Sequence, residues 1–419
     1  MSAGTAPPEA ALRPVAAALG PAFGGFLRGV AETARARGAP AVWFLSGEGQ
    51  WFAATYARLC AALGGGFPPA RHLAISRRAS FLPSLERLDR GALAPLLAQY
   101  TSASLGGVLA SLGLALPAAA LAAGGLDPAQ PWAEQAARAL ALPALRDAAE
   151  ARRAAQRALL LRFLAQQGFP AAGEALVADI GWRGSIQDNL CRLLPALRLH
   201  GCYFLLLPGF SPAPANATRQ SFLLPPGPRE ARRLRFGAPL ELAVGGEGGS
   251  VIGYAAAGSG AAPVAGPPPA CPPAARRALA GFRAALAEAA VARQARPEVA
   301  LRDTLRFLEH PPRAFAALYF AHERDERYGT GRSHLAAAPL KAGALLSAVG
   351  QAGARRRLGL ALAESGWPWA LLQRDLPWLL PLLRPVLMRL DPRLENAPRM
   401  LGAATSRAAP GGRAVEWAR

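Results

Sequence analysis

Lysine is almost absent from this 419-residue chain: Lys341 stands alone among 47 basic residues, and the rest are arginine. Cysteine is scarce, with four residues (Cys60, Cys191, Cys202, Cys271) and no C-x-x-C pair, and the five histidines do not cluster with them. A structural zinc site needs closely spaced thiolates or imidazoles, and a disulfide framework needs paired cysteines. Neither is expected, and this cysteine usage fits a reducing cytoplasm. The N-terminal stretch carries Glu9 and lacks a basic-then-apolar pattern, so no signal peptide is expected. Long uninterrupted apolar runs are also missing. Residues 91–126 carry no charge, yet Gln99, Thr101, Ser102, Ser104, Gly106, Gly107, Ser111 and Pro117 interrupt them. They read as a buried helix, a turn and a second helix, not as a membrane span.

What is present in quantity is alanine, glycine and proline. The 44 glycines and 39 prolines make about a fifth of the chain, below the roughly 25–30% that marks low-complexity disorder. Hydrophobic residues reach 52%, much of it alanine. At roughly 100–200 residues per domain, the length suggests two or three domains. The net charge of +20, taken alone, points to nucleic acid or an anionic membrane. The arginines are scattered, however, at positions such as Arg58, Arg146 and Arg192. A solvated basic surface is the favoured reading, and nucleic acid is not favoured.

The order of elements argues for an α/β layer. Residues 23–38 read as an amphipathic helix. Residues 41–45 form a continuous apolar run, as a buried parallel strand does. The loop Ser46-Gly47-Glu48-Gly49 then leads into a helix with Trp51, Phe52, Tyr56 and Leu59 at helical spacing. A second strand is expected at 72–76, helices over 92–170 with a break near 117–131, a third strand at 175–180, a helix at 186–197 and a strand at 201–207. Strands separated by helices predict a Rossmann-like parallel sheet. The expected division is an α/β domain over 1–210, a Gly/Pro-rich irregular β or lid segment with a proline connector over 211–273, a mainly helical region over 274–400, and a loose tail over 401–419.

Ligands of open α/β sheets bind beyond the carboxyl ends of the strands, and three loops fall there. The third, Asp179 to Ser185, is the richest. A carboxylate at Asp179 can hold Mg2+ or take a proton. Gly181 and Gly184 permit tight turns, and Gly184-Ser185 opens a helix whose free N–H groups suit a phosphate. Ser185 is alternatively the N-cap of that helix. Arg77 and Arg78 offer donors for a phosphate, or are ordinary exposed arginines. Glu48 is a second acidic ligand, or a helix-start acid favoured by the dipole. Ser46, Gly49, Arg183 and Gln187 complete the candidate set, with Gln187 alternatively facing solvent. Trp182 either stacks on a ring or packs. Glu241 and the glycines of 245–249 read as a lid or a plain loop. The Trp-bearing stretch 366–390 reads as a core helix, with an interfacial membrane helix as the alternative.

Taken in order, Gly20-Pro21, Trp43 to Gly49, Ser76-Arg77-Arg78-Ala79 with Leu82-Pro83, Val177 to Gln187, and Gly249 to Tyr254 resemble a known family. They are similar to bacterial haloacid-dehalogenase-superfamily hydrolases of surface-polysaccharide biosynthesis, over roughly residues 20–380. The resemblance implies a cytoplasmic protein that binds a phosphorylated sugar or nucleotide sugar, a hydrolase or transferase if active. Asp179 and Glu48 would then be catalytic, with Mg2+ on Asp179. A non-catalytic partner of a glycosyltransferase or of a separate phosphatase is the alternative, and a peripheral membrane or polyanion binder the third. Two departures stand out. No D-x-D-x-T/V nucleophile motif occurs in the chain, and Gly47 stands where the family's first loop tends to carry arginine. The loop set also resembles the phosphate-holding loops of phosphoribosyltransferase-like folds, a likeness of fold that does not fix function.

Overall fold

Continuous apolar strands can be buried on both faces only if helices cover both sides, and that is the arrangement in the computed structural model. It describes residues 7–93, 103–207, 212–224, 233–234, 236–246, 248–323, 362 and 365–378. In chain order the elements are α1 (Glu9–Ala36), β1 (Val42–Leu45), α2 (Glu48–Ala62), β2 (Ala70–Leu73), α3 (Arg77–Ser84), α4 (Leu105–Ser111), α5 (Ala118–Ala123), α6 (Trp132–Ala141), α7 (Pro143–Gln167), β3 (Gly173–Trp182), α8 (Ser185–Leu193), β4 (Leu197–Leu206), β5 (Ala217–Leu223), α9 (Ala238–Val244), β6 (Val251–Ala257), β7 (Gly260–Ala265), α10 (Pro273–Ala292), α11 (Pro297–Glu309), α12 (Arg313–Ala321) and α13 (Pro368–Asp375). Five parallel strands form one sheet in the order β2-β1-β3-β4-β5, and β6 and β7 pair as an antiparallel hairpin. The expected α/β fold with a helical C-terminal region is therefore the fold observed.

One face of the sheet carries an aromatic core. Phe23 and Phe26 of α1 meet Phe52 of α2, and Phe23 stacks on Phe204 of β4 with ring centroids 4.6 Å apart. Helices α10 and α11 close this face. The opposite face packs Trp43, Leu73 and Val177 under Phe163 of α7 and Tyr254 of the hairpin. The segment between β2 and β3 builds a third, smaller core from Phe81, Leu82, Val108, Trp132 and Leu145. It is pinned to α8 by Asn189, whose Nδ2 donates to Ser80 Oγ at 2.9 Å.

Helix α1 begins well before residue 23, at Glu9, and takes Pro14 and Pro21 into its interior. The carbonyl of Pro21 accepts from Ala295 N at 2.8 Å. Gly24 and Gly25 let the end of α10 and the residues after it approach at backbone contact, since a Cβ on Gly25 would lie 2.0 Å from Ala295 O. Among the described residues α1 is long and apolar enough to cross a membrane, and here it is a core helix.

Other boundaries move for identifiable reasons. β2 occupies 70–73, earlier than expected, because Ser76 caps α3. The helix expected at 186–197 stops at Leu193, next to Pro195. β5 lies inside the segment read as irregular. Its Thr218, Arg219 and Gln220 give it no apolar run, yet it pairs with β4 as an edge strand. Of the 366–390 stretch, Trp367 and Trp369 are buried in the core, which removes them from any membrane-facing surface. Residues beyond 378, including the expected tail, lie outside the described residues, as do 324–361 and 94–102.

Ser76 joins three pieces of this architecture. Its Oγ accepts from Ala79 N at 3.0 Å and donates to Val251 O at 2.5 Å, so one side chain caps α3 and ties it to β6. Ser76→Ala is expected to lower stability by about 1–2 kcal/mol, the cost of a lost cap and an unmade bond, measurable by urea denaturation.

Candidate functional site

The strand order reverses between β1 and β3: the chain leaves β1 for β2 on one side and returns to β3 on the other. That reversal opens a crevice at the carboxyl ends of the two strands. Ser46 and Glu48 follow β1 there. Asp179 lies on β3, one residue past the last pairing between the strands, Phe44 with Ala178. Ser46 and Trp182 are the only non-glycine residues with positive φ among the described residues, at 65° and 73°. Both flank this crevice. Backbone held in that region costs of order 1–3 kcal/mol and concentrates at functional sites.

The strained turn at Ser46 brings two carboxyls together. Ser46 Oγ donates to Glu48 Oε2 at 2.5 Å and lies 3.5 Å from Asp179 Oδ1. The turn is braced by His72, whose Nε2 is 2.7 Å from Ser46 O, and Asp179 Oδ1 accepts from Ile180 N at 2.9 Å. Asp179 is 7% exposed. Burial pushes its carboxyl well above the usual carboxylate range, and the neighbouring charge of Glu48 adds to the shift. Glu48 is raised as well, by burial and then by the charge of Glu241, with Arg283 of α10 acting in the opposite direction. Two carboxyls so placed do not both ionise readily, so the pair is suited to hold a proton at neutral pH.

The β3–α8 loop owes its path to one glycine. Gly181 adopts φ 122°, and a Cβ there would lie 1.8 Å from Leu205 O on β4. Trp182 then turns its indole to donate to Glu241 of α9 and packs its ring against Gly237. Glu241 and α9 thus stand against the crevice, and the glycine run after α9 reaches it: a Cβ on Gly246 would lie 3.2 Å from Gly47 O. Gly184 is the N-cap of α8 and Ser185 its first residue, without a side-chain cap, so Ser185 is not the cap. The N-termini of α2 and α8 both open at this edge of the sheet, where unsatisfied N–H groups favour an anion.

Other expected residues serve structure. Gln187 is fully buried, because the first turn of α8 faces the sheet. Its Nε2 donates to Leu199 O at 2.7 Å and Thr218 O at 2.9 Å, while its Oε1 accepts from Tyr203 Oη at 2.8 Å and Arg219 Nε at 3.0 Å. It neither contacts solvent nor reaches the crevice. Gly49 is buried because α2 crosses directly over Phe44. Arg78 donates from Nε to Ser111 O at 2.6 Å and from Nη2 to Ala110 O at 3.1 Å. That places it at the end of α4. Arg77 opens α3 beyond edge strand β2 and is half-buried, like Arg183. The structure therefore joins Ser46, Glu48 and Asp179, adds Glu241, and gives Gln187 and Arg78 structural partners.

Sequence reasoning missed Arg219. It forms a nearly buried ion pair with Asp188 and lies 3.4 Å from the carbonyls of both Arg183 and Gly184, so it fixes the loop after Asp179. A lone arginine in a polar strand gives no signal of this. Among the described residues no group of three His, Cys, Asp or Glu side chains is arranged to hold a metal. Mg2+ is commonly held by one or two carboxylates with phosphate oxygens and waters, and Asp179 and Glu48, both within reach of Ser46 Oγ, are the carboxyls that would hold it. All four cysteines are free thiols. No protein-family model matches the chain and no curated protein matches it.

Proposed function

We propose that the crevice between β1 and β3 binds a phosphorylated sugar or nucleotide sugar, with Asp179 and Glu48 as its acid–base pair. The observation that carries this reading is the pair of carboxyls linked through the strained Ser46 turn at the point where the strand order reverses. The helix starts at α2 and α8 would hold the phosphate. The ionised member of the pair would draw a proton from water or a sugar hydroxyl, and the protonated member would give one to the departing oxygen. Mg2+, when bound, would screen the phosphate charge from Asp179 and Glu48. The resemblance to haloacid-dehalogenase-like proteins supplies the setting, cytoplasmic steps of bacterial surface-polysaccharide biosynthesis. No aspartyl-phosphate step is part of the reading, because the chain lacks the D-x-D motif.

Sugar 1-phosphates and nucleotide diphosphate sugars, offered with and without Mg2+, test this for hydrolysis and glycosyl transfer. Wild-type turnover is expected, and Asp179→Asn should lower it by roughly 10²–10⁴-fold, the usual worth of a positioned acid or base. Equal turnover in the two proteins overturns the assignment. The missing nucleophile motif favours one other reading, a non-catalytic partner of a glycosyltransferase or a separate phosphatase. Tight binding in calorimetry with no turnover of any of these compounds would select it.

A further inference from the structure

Arg78 of α3 and Arg152, Arg153 and Arg157 of α7 belong to the segment between β2 and β3. Three of them are spent on backbone carbonyls at helix ends. Arg78 bonds the end of α4, as above. Arg153 donates to Leu85 O at 3.1 Å and pairs with Glu150. Arg157 donates to Pro83 O at 3.0 Å. Arg152 is the exception. Among the described residues it has no hydrogen-bond or carboxylate partner, and its Nε is buried without one.

The half-buried guanidinium of Arg152 occupies a slot kept open by two glycines from different elements. A Cβ on Gly113, which follows α4, would lie 3.0 Å from its Nε and Nη2, and one on Gly253 of β6 would lie 3.5 Å from Nη2. Ser111, two residues before Gly113, is 2% exposed and its hydroxyl is likewise without a partner. A guanidinium stays charged at any physiological pH. Withdrawing it from water with a donor unmade is unfavourable unless an anion compensates.

We infer that this slot is an anion site that takes a phosphoryl group on Arg152. The planar fork of arginine matches two phosphate oxygens at once. Arg78 adds positive charge and fixes the end of α4 that carries Ser111. The inference stands apart from the reading of the Asp179–Glu48 crevice.

Modification of the full chain by phenylglyoxal, mapped by mass spectrometry, reads the site at Arg152 itself. Inorganic phosphate is expected to slow modification of Arg152 at least 5-fold, and acetate at the same ionic strength is not. A sugar 1-phosphate arm distinguishes a carried phosphate from a free one, because only the carried one would then protect at lower concentration. In calorimetry with inorganic phosphate, Arg152→Gln should weaken one site at least 10-fold. Arg152→Lys, which keeps the charge without the fork, should weaken it in part and carries the test if Arg152→Gln does not fold. Equal modification with and without phosphate, or an unchanged isotherm in either variant, overturns the inference. Because the protection is read at Arg152, failure of the crevice reading leaves it untouched.

Discussion

Gly181→Ala is expected to cost about 3–5 kcal/mol of stability, joining a strained backbone of about 1–3 kcal/mol to overpacking of similar size. The cause is a double constraint. At φ 122° a side chain is disfavoured whatever the space, and the added Cβ would meet Leu205 O at 1.8 Å. That carbonyl belongs to a neighbouring strand in ladder with β3, so it has no free rotor with which to retreat. Gly173→Ala is the matched control. It lies on the same strand with φ 83° and nothing within 4 Å, so only the backbone penalty applies. Denaturant unfolding of both should show Gly181→Ala losing several times as much. An equal loss in the two would mean that β4 yields at no cost and that the β3–α8 loop is softer than its packing implies. The same substitution should also weaken any ligand of the crevice, because the strand end that carries Asp179 would shift.

Asp179→Asn and Glu48→Gln are expected to make the folded protein more stable above neutral pH. Both carboxyls are harder to ionise in the folded protein than in the unfolded chain, where Asp titrates near ~3.9 and Glu near ~4.3. The folded state therefore binds more protons than the unfolded state from about pH 4 up to the raised folded values. Across that window stability falls as pH rises, and the contribution is fully present only below the unfolded values. Removing one member of the pair removes part of the fall. A gain of about 1–2 kcal/mol at pH 8 is the usual yield of one stabilising substitution, with little change near pH 4. Asp188 is also raised by burial and contributes a slope of the same sign. The comparison is therefore the difference between wild type and variant at each pH. Superimposable profiles would show that Asp179 and Glu48 ionise freely. With the expected loss of turnover, the gain would mark the pair as a place where function is held at the expense of stability.

How far the sequence reached depends on what each residue answers to. β1, β3 and β4 were legible because a strand buried on both faces must be apolar along its length, as Val42–Leu45 is. β5 was not, because an edge strand with Thr218, Arg219 and Gln220 has no such pattern. The start of α1 was not legible, because Pro14 and Pro21 disfavour a helix interior, yet both lie inside α1, where the Pro21 carbonyl accepts from Ala295 N. At the site, Asp179, Glu48 and Ser46 were legible from their place after strands and beside glycines. The backbone and side-chain partners of Gln187 and Arg78 were not legible, because adjacency in sequence says nothing of which way a first helical turn faces. Arg152 and Arg219 could not be found at all, since their meaning lies in the company of Gly113, Gly253 and Gly184 across the fold.

The docking of α1 has a consequence for how the protein is made. The first helix of the chain buries its apolar face against α10, α11 and α12, whose last residue is Ala321. At about 5–20 residues per second, translation leaves that face without its partners for roughly 15–60 s after α1 has emerged. During this interval the nascent chain presents a long apolar helix of the kind that chaperones and membrane-targeting factors engage. Closure of the aromatic core is thus a late, long-range event. The yield of folded protein should depend on synthesis rate more than its final stability would suggest.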